Sequence, residues 1–336
     1  MAEYAPSWGT TLFSWTDDLM RAERTPDQIA EDVCSSGYGS FLEVDAGQHF
    51  RSFPSIEDSE TAALRRVFDG SAVRPSLLGL HIDAALSPTE SLGEDARVEL
   101  LVPQLRAAAA LGAQGVRLPL GEAGAAVLAR IQPLLHELDL VLVEEIQGSN
   151  RPGDDHVRSA VDVLAGFDDP HLRLLLDASV SMPALPPTYL EALAEAGARP
   201  DLLADMSAAW GEDGARSVIG PALGQGLPPA ATHMVMGSMV RFGWSDPGDW
   251  RELLPLVAGM HLKFWDLEDA ENSVSRPLAA FAEGLREVGF TGVLCSEWGG
   301  HEWIDSADGT AHEFTRRHLV LAREAMEHPL DGAVAG

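Results

Sequence analysis

The sequence predicts one closed (β/α)8 TIM barrel over residues 1–336, with a long insertion between its sixth and seventh strands. Short apolar runs, each followed by a helical stretch, recur eight times, and this alternation favours a closed parallel barrel. Several runs are almost continuously apolar and end in polar residues, which is typical of parallel strands buried on both faces. The alternative is a doubly wound sheet, but no GxGxxG motif follows any of the runs.

Eight short apolar runs are the predicted strands of this barrel. In chain order they are Leu12–Trp15, Phe41–Asp45, Ser76–Ile82, Gly115–Leu120, Leu140–Ile146, Arg173–Ala178, Met260–Trp265 and Val293–Trp298. In such a barrel the carboxyl ends of all strands meet at one mouth, so polar residues that end a strand are candidates for catalysis.

Helical segments separate these strands. They are predicted at Thr25–Ser36, Asp58–Phe68, Glu94–Leu111, Gly124–Leu138, Asp154–Leu164, Pro187–Ala196, Pro277–Val288 and Thr310–Met326. Several begin at a proline or a polar cap and end near a glycine, as helices commonly do. The residues that follow the last helix, 327–336, are expected to form a loose C-terminal tail.

One interval departs from this alternation. The segment 180–258 is far longer than the roughly 30 residues that a βα unit requires. It is rich in glycine and proline, with Gly220, Pro221, Gly224, Gly226, Pro228 and Pro229 close together. We expect an elaborated loop on the face that carries the site, serving as a lid, a substrate wall or a subunit contact.

Composition excludes several classes of protein. The chain carries 52 acidic and 23 basic side chains, a net charge of −29, which disfavours binding to nucleic acids and to anionic membrane surfaces. No apolar run reaches the roughly 18 to 20 residues that a membrane-spanning helix needs. No secretion signal is visible in residues 1–10, and the two cysteines, Cys34 and Cys295, form no CxxC motif. We therefore expect a cytoplasmic enzyme or binding protein.

Four consecutive predicted strands carry residues of the metal-ligand type. They are Glu145 in LVLVEEIQG, Asp177 in LRLLLDAS, His261 in GMHLKFWD and Glu297 in GVLCSEWGG. Each could be a strand-end cap or an ion-pair partner, but four such groups at one mouth would repel each other without a cation. Three carboxylates and one imidazole suit one divalent ion, and we expect Mn²⁺, with Mg²⁺ or Co²⁺ as alternatives.

Strand five offers two adjacent carboxylates, Glu144 and Glu145. Side chains alternate along a strand, so Glu145 lies on the same face as Val143 and Val141, which are expected to point into the barrel. We therefore assign Glu145 to the metal site.

The four residues, with EI after strand five, HLK in strand seven and SEW in strand eight, resemble the sugar phosphate isomerase/epimerase family of xylose-isomerase-like barrels. In that family a Glu, Asp, His and Glu at the ends of strands five to eight hold one metal, so the resemblance implies the same ligands here. Glu145 and Asp177 are 32 residues apart, and His261 and Glu297 are 36 apart, which suits one βα unit each. The 84 residues between Asp177 and His261 depart from the compact epimerases.

Further motifs look most like the catalytic (alpha) subunits of bacterial C-glycoside deglycosidases. They are SW near strand one, DAGQHF after strand two, the long insertion, and HLKFWD followed by SEWGGHEW. This resemblance implies a lyase that cleaves the C–C bond of a 3-oxo-C-glycoside by elimination and releases the aglycone. It also implies a small second (beta) subunit in a hetero-oligomer.

Three other functions compete with this one. The first is a sugar (phosphate) isomerase or epimerase that acts on a ketose or a keto-inositol. The second is an apurinic-endonuclease-like nuclease, which shares the barrel but needs a histidine-rich cluster of metals and a basic groove, and the acidic composition disfavours it. The third is a noncatalytic scaffold on a decayed barrel, which an intact set of ligands disfavours.

The chemistry of a lyase or an epimerase requires a base and a proton donor near the metal. A divalent ion polarises a carbonyl or hydroxyl of the sugar while a base removes the neighbouring C–H proton. We expect Glu145 and Glu297 to be ligands that also serve as bases. A histidine would protonate the leaving carbon or relay protons, and the candidates are His49 and His301, then His81.

Substrate contacts are expected from polar and aromatic residues at the mouth. Gln147 would hydrogen-bond a sugar hydroxyl, and Lys263 lies two residues beyond His261 on the same strand face. Aromatic side chains at strand ends or in loops can stack on a sugar or an aromatic aglycone. The predicted substrate-binding residues are Gln147, His81, Lys263, Arg241 and Trp298, and the other candidate aromatic residues are Trp15, Phe50, Trp244 and Trp265.

Overall fold

Eight parallel strands close into a barrel in the computed structural model, which describes residues 4–82, 85–87, 90–304 and 310–327. The strands follow one another around the barrel in chain order, and the last pairs with the first. The predicted fold class is therefore confirmed. The strands are β1 Ser7–Thr11, β2 Phe41–Asp45, β3 Arg74–Gly79, β4 Gly115–Pro119, β5 Val141–Ile146, β6 Leu172–Asp177, β7 Val257–Phe264 and β8 Val293–Trp298.

The position predicted for the first strand is wrong. The strand is β1, and Leu12–Trp15 forms a 3₁₀ turn directly after it. The side chain of Thr11 caps this turn by accepting a hydrogen bond from the backbone N–H of Phe13 at 3.2 Å. Leu12 and Trp15 are fully buried in the main core, so burial rather than strand geometry explains the apolar run. A four-residue apolar run does not distinguish the two by periodicity.

The helices surround the barrel. Those predicted from the sequence lie within three residues of the observed bounds, and the capping box of Thr25 and Gln28 with Pro26 marks one start clearly. The helices are α1 Thr16–Arg21, α2 Pro26–Ser35, α3 Ala46–His49, α4 Asp58–Asp69, α5 Glu94–Leu111, α6 Gly124–Leu138, α7 Asp155–Phe167, α8 Pro187–Glu195, α9 Pro200–Asp213, α10 Arg216–Gln225, α11 Pro229–Arg241, α12 Ser275–Glu287 and α13 Thr310–Glu327. Of the predicted tail 327–336, Glu327 ends α13 and the remainder lies outside the described residues.

The core has two parts because barrel strands bury both faces. Outward-facing residues such as Leu142, Leu174 and Leu176 pack under the surrounding helices in the main core. Leu77, Val143 and Leu175 form a separate buried cluster, which alternation along the strands places inside the barrel. The bottom of the barrel is thereby filled, and space for a ligand is left at the mouth.

Between β6 and β7 the chain forms four helices, α8 to α11, where the sequence predicted only the first. Prolines occupy the first turn of α8, α9 and α11, and Gly214 ends α9 in the left-handed conformation with φ of 66°. The glycine and proline content therefore marks the ends of short helices rather than an irregular loop. Tyr189, Trp210 and Phe242 are at the centre of a core that these helices share.

Backbone hydrogen bonds join this helical region to the barrel. The N–H of Ser149, after β5, donates to the carbonyl of Val240 at 3.0 Å, and the N–H of Gly243 donates to Ser179, after β6, at 2.7 Å. The Phe242 ring packs edge-on against Trp265, after β7, with centroids 4.7 Å apart. The region is therefore held over the carboxyl ends of β5 to β7. Within the described ranges, no helix combines the length and the apolar character needed to cross a membrane.

Candidate metal centre and active site

The structure brings Glu145, Asp177, His261 and Glu297 together at the carboxyl ends of β5 to β8. One ligand atom from each lies within 4.8 Å of the others, and all four side chains are buried. Register explains the convergence, because Asp177 pairs with His261 across β6 and β7 while Glu297 lies two residues beyond Cys295, the partner of His261 on β8.

The charges of these four residues are not balanced among themselves. The Nδ1 atom of His261 lies 2.9 Å from Glu145 Oε1 and 2.6 Å from Glu297 Oε2, yet it makes no hydrogen bond of acceptable geometry. Asp177 Oδ2 is buried without a partner among the described residues. Burial and the charges of Glu297 and Glu145 raise the pKa of Asp177 to about 7. Arg117 and Lys263 contact two of the carboxylates, Glu145 and Glu297, and the remaining unsatisfied donors suit a divalent cation.

Glu144, the neighbour of Glu145, points the other way. Its Oε2 accepts a hydrogen bond from the backbone N–H of Gly121 at 2.9 Å, in the turn after β4. Burial raises the pKa of Glu144 to about 7. Glu144 therefore ties the β4 turn to β5, and Glu145 alone of this pair faces the other three ligands.

A cavity of about 570 Å³ opens beside the four carboxyl-end residues. This volume is within the range of about 300 to 1,000 Å³ that is usual for small-molecule binding sites. Three of the four candidate ligands, Glu145, Asp177 and Glu297, line it. The other lining residues are Phe13, Asp45, Gln48, His81, Arg117, Gln147, Gly148, Ser149, Asn150, Ser179, Gly237, Val240, Arg241, Lys263, Trp265 and Glu302.

The wall opposite the four ligands comes from β2 to β4. Both carboxylate oxygens of Asp45 lie 2.9 Å from His81 Nε2, and the Arg117 guanidinium lies 3.8 Å from Asp45. Gly79 makes room for this group, since a Cβ there would lie 2.6 Å from Asp45 Oδ2. The hydrogen bond to Asp45 raises the pKa of His81. Burial alone would raise the pKa of Asp45, but His81 and Arg117 lower it.

His81 is fixed in place from three sides. Gln104, fully buried on α5, accepts a hydrogen bond from the His81 N–H at 3.1 Å and donates to the His81 carbonyl at 2.9 Å. The Phe53 ring packs edge-on against the imidazole with centroids 5.8 Å apart. These contacts, with Asp45, hold an imidazole at the cavity wall.

Arg117 connects the two walls and was not predicted as a site residue. Its guanidinium bonds the Glu145 carboxylate on the metal side and faces Asp45 on the other. Burial by itself would lower the pKa of Arg117, but the negative charges of Glu145 and Glu297 raise that pKa above its usual value. Burial would raise the pKa of Glu145, but Arg117 and His261 lower it to about 2. The signal available in the sequence was an arginine within the apolar run GVRLP.

Four of the five predicted substrate-binding residues line the cavity: His81, Gln147, Arg241 and Lys263. The ammonium of Lys263 bonds Glu297 and lies 4.0 Å from the centre of the Phe13 ring. Arg241, at the end of α11, bonds Glu302 after β8. Phe13 and Trp265 are the aromatic side chains among the described lining residues.

His49, Trp298 and His301 do not line the described cavity. His49 is buried, and its Nδ1 lies 2.8 to 2.9 Å from the backbone O and N of Asp45, so it supports the turn after β2. Trp298 is fully buried, with its indole N–H donating to the Trp265 carbonyl at 2.9 Å. His301 packs edge-on against Phe13, and burial with the charge of Lys263 lowers its pKa to about 4. The Nε2 atoms of His49 and His301 are buried without a hydrogen-bond partner among the described residues, so a catalytic role for either histidine stays a prediction.

Comparison with known proteins then bears on the site. No family model matches the chain. It is 24% identical over 344 residues to the C-glycoside deglycosidase alpha subunit of Arthrobacter globiformis, covering 97% of this chain and 94% of that protein. The resemblance inferred from the sequence is confirmed. A second relative, the 3'-dehydrocarminate deglycosidase alpha subunit of a Microbacterium species, is 26% identical over 332 residues, with 95% of both chains covered.

Solved structures support the fold. A D-psicose 3-epimerase crystallised in the presence of D-fructose has a TM-score of 0.58 at 13% identity and covers 96% of this chain and 100% of its own. The IolI protein with a bound zinc atom has a TM-score of 0.57 at 11% identity, with 96% and 98% covered. At these identities the likeness shows the architecture alone, a closed barrel of eight parallel strands, which this chain shares over nearly its whole length.

Proposed function

We propose that this chain is the catalytic subunit of a divalent-metal-dependent C-glycoside deglycosidase that cleaves 3-oxo-C-glycosides by elimination. The observation that carries the proposal is the buried set of Glu145, Asp177, His261 and Glu297, whose ligand atoms converge within 4.8 Å beside a cavity. The relatives with coverage above 90% on both chains are named for deglycosidases, which favours this reaction over the epimerisation that the barrel also supports.

The four residues fit one divalent ion, and we propose Mn²⁺, with Mg²⁺ or Co²⁺ as alternatives. Three carboxylates with one imidazole favour a borderline-hard ion over one that prefers thiolates. His261 would bind through Nδ1, the nitrogen that faces Glu145 and Glu297. When bound, the ion polarises an oxygen of the sugar and stabilises the negative charge that develops as a neighbouring C–H proton is removed.

The chain's own residues supply the proton transfers. Glu145 or Glu297 accepts the proton from C2 of the sugar, which the adjacent 3-oxo group acidifies. The electron pair forms the C1–C2 double bond, and the bond between C1 and the aglycone breaks with its electrons on the aglycone carbon. His81, held towards the cavity by Asp45 and Gln104, donates the proton that this carbon takes up. The products are an unsaturated 3-oxo sugar and the aglycone, without a requirement for water.

The cavity favours an uncharged substrate. Four described lining residues can carry positive charge, and each is already paired: His81 with Asp45, Arg117 with Glu145, Arg241 with Glu302 and Lys263 with Glu297. A phosphate group binds best where donors are not committed to carboxylates. A neutral glycoside therefore fits this wall better than a sugar phosphate.

We also propose that the chain works with a small second subunit. Its relatives are named alpha subunits, so each of those proteins has a partner by name. The assay of the proposed activity should therefore include the product of co-expression with a neighbouring small subunit.

The deciding experiment supplies the metal-loaded chain, alone and with its co-expressed partner, with a 3-oxo-C-glycoside. Chromatography should show free aglycone that depends on Mn²⁺ and disappears in Glu297→Gln. Epimerised sugar without aglycone release would replace the lyase by the epimerase that the structural neighbours represent. Neither product, with metal and partner present, would overturn both assignments.

A further inference from the structure

Beneath the metal centre lies a buried carboxylate that the proposed reaction does not use. Glu43 on β2 is 2% exposed and precedes the cavity residue Asp45 by two positions, so both side chains point into the barrel. Glu43 Oε2 lies 2.9 Å from Nε2 of His261. Glu43 therefore contacts the far side of the imidazole whose near side faces Glu145 and Glu297.

Both ring nitrogens of His261 face carboxylates, Nε2 that of Glu43 and Nδ1 those of Glu145 and Glu297. A divalent ion held by Glu145 and Glu297 would take the lone pair of Nδ1. The one proton of the neutral ring would then lie on Nε2, where the Glu43 carboxylate accepts it. A ligating histidine whose other nitrogen donates to a carboxylate is oriented in its ring plane and becomes a stronger donor.

We propose that Glu43 is a positioning residue that sets the tautomer and orientation of His261 and thereby raises the affinity of the centre for its divalent ion. The inference rests on the proposed metal site and adds to it a residue on a strand, β2, that carries none of the four ligands. It acts through His261 and touches neither the cavity nor the substrate.

The position of Glu43 is costly for folding, which argues for such a role. The neighbouring inward-facing positions of the barrel carry Leu77, Val143 and Leu175, the apolar residues usual in this layer. Glu43 Oε1 has no hydrogen-bond partner in the described part of the chain. A half-satisfied buried carboxylate contributes less to folding than an apolar residue of its size would. Its contribution is therefore expected in metal binding.

A second cation is the competing explanation. Glu43, His261 and Cys295 also offer three ligand atoms within 4.8 Å of one another. Such a site would have only three ligands and would share His261 with the first centre. A cation there would also have to replace the hydrogen bond that Glu43 and His261 make with each other. The two explanations differ in the number of ions bound and in the effect of removing the thiol.

The test is a titration of the metal-free full-length chain with Mn²⁺. Binding is measured by calorimetry and by the electron paramagnetic resonance signal of the free Mn²⁺. Wild type is expected to bind one ion. Glu43→Gln, which keeps the size and removes the charge, should weaken binding about 10- to 100-fold. Glu43→Asp keeps the charge, and its Mn²⁺ affinity should lie between those of wild type and Glu43→Gln. The matched control is Cys295→Ala, in the same layer on β8, which should leave the affinity unchanged.

Unchanged Mn²⁺ affinity in a folded Glu43→Gln protein would overturn the proposal, and if that variant does not fold, Glu43→Asp with wild-type affinity would do so. Two ions per chain, with one lost in Cys295→Ala, would establish the second cation site instead. Glu43→Gln should also be made in a His261→Gln background. If it weakens Mn²⁺ binding there by the same factor as in the wild-type background, Glu43 acts by its charge alone and not through the imidazole. Because binding is measured without turnover, absence of aglycone release by wild type would contradict the proposed reaction and leave this result standing.

Discussion

The two halves of the barrel mouth differ in how their charges are balanced. On β5 to β8, the four candidate ligands leave Asp177 Oδ2 and His261 Nδ1 without hydrogen bonds. On β2 to β4, Asp45 and His81 pair with each other. Arg117 and Lys263 pair with Glu145 and Glu297, so the atoms of this half that the proposed cation would satisfy are Asp177 Oδ2 and His261 Nδ1. The balanced half is suited to hold and transfer protons.

Arg117 lies between the halves and limits how far each can be changed alone. It bonds Glu145 on one side and faces Asp45 at 3.8 Å on the other. Substitutions that separate the halves should therefore spare Arg117 and keep the size of the residue they replace. The variants of the two halves below follow that rule.

The largest effect is expected from Glu297→Gln in the unbalanced half. Removal of one ligand charge should weaken Mn²⁺ binding by more than about 100-fold, beyond the range of residues outside the ligand set, and abolish aglycone release. Metal content after dialysis and calorimetric titration measure this. The matched control is Glu144→Gln, which points away from the centre and keeps an oxygen to accept the Gly121 N–H. Equal metal loss in both variants would contradict the assignment of Glu297.

In the balanced half, His81→Gln should lower kcat by about 10²- to 10⁴-fold while Mn²⁺ affinity stays at its wild-type value. The reason is that His81 contacts Asp45 and Gln104 but none of the four ligands. Steady-state release of aglycone, with a parallel metal titration, separates the two quantities. The competing assignment is His301, so a large loss of kcat in His301→Gln with little in His81→Gln would transfer the acid role to that residue.

A change in pH dependence should follow from Asp45→Asn. The charges that face His81 are those of Asp45, Arg117 and Glu122, and the hydrogen bond to Asp45 raises the pKa of His81. An acid is active below its pKa, so kcat is lost as the pH rises through this raised value. Without the carboxylate the pKa falls, and the alkaline limb of the kcat profile should move to lower pH. A limb that stays in place would show that another group donates the proton.

How much could be predicted from sequence differs in the same way between the two halves. Glu145, Asp177 and Glu297 each lie near the end of an apolar run, and His261 lies within one. The alternation with Val143 selected Glu145 over Glu144. A residue type, a strand end and a shared barrel face were enough. Parallel pairing then brings together residues that are far apart in the chain.

The other half depends on contacts that no spacing reveals. Asp45 ends a predicted strand, but its role rests on its distance from His81 and Arg117. His49 precedes a loop as a catalytic histidine would, yet its ring turns inward to the Asp45 backbone. Side-chain direction within a turn is set by tertiary packing, which a local pattern does not report.

The smallest effect is expected where α11 of the 180–258 region meets the cavity, and it tests whether this region is a third wall. Val240 lines the cavity and is 73% exposed, whereas Met236, one turn earlier on α11, is 56% exposed and does not line it. If an aromatic aglycone packs on Val240, Val240→Ser should raise KM about fivefold, equivalent to about 1 kcal/mol of apolar contact, with kcat unchanged. Met236→Ser is the matched control and should leave KM unchanged. If the two variants have the same KM, the aglycone does not pack on Val240. It would then extend past β2 to β4, away from α11.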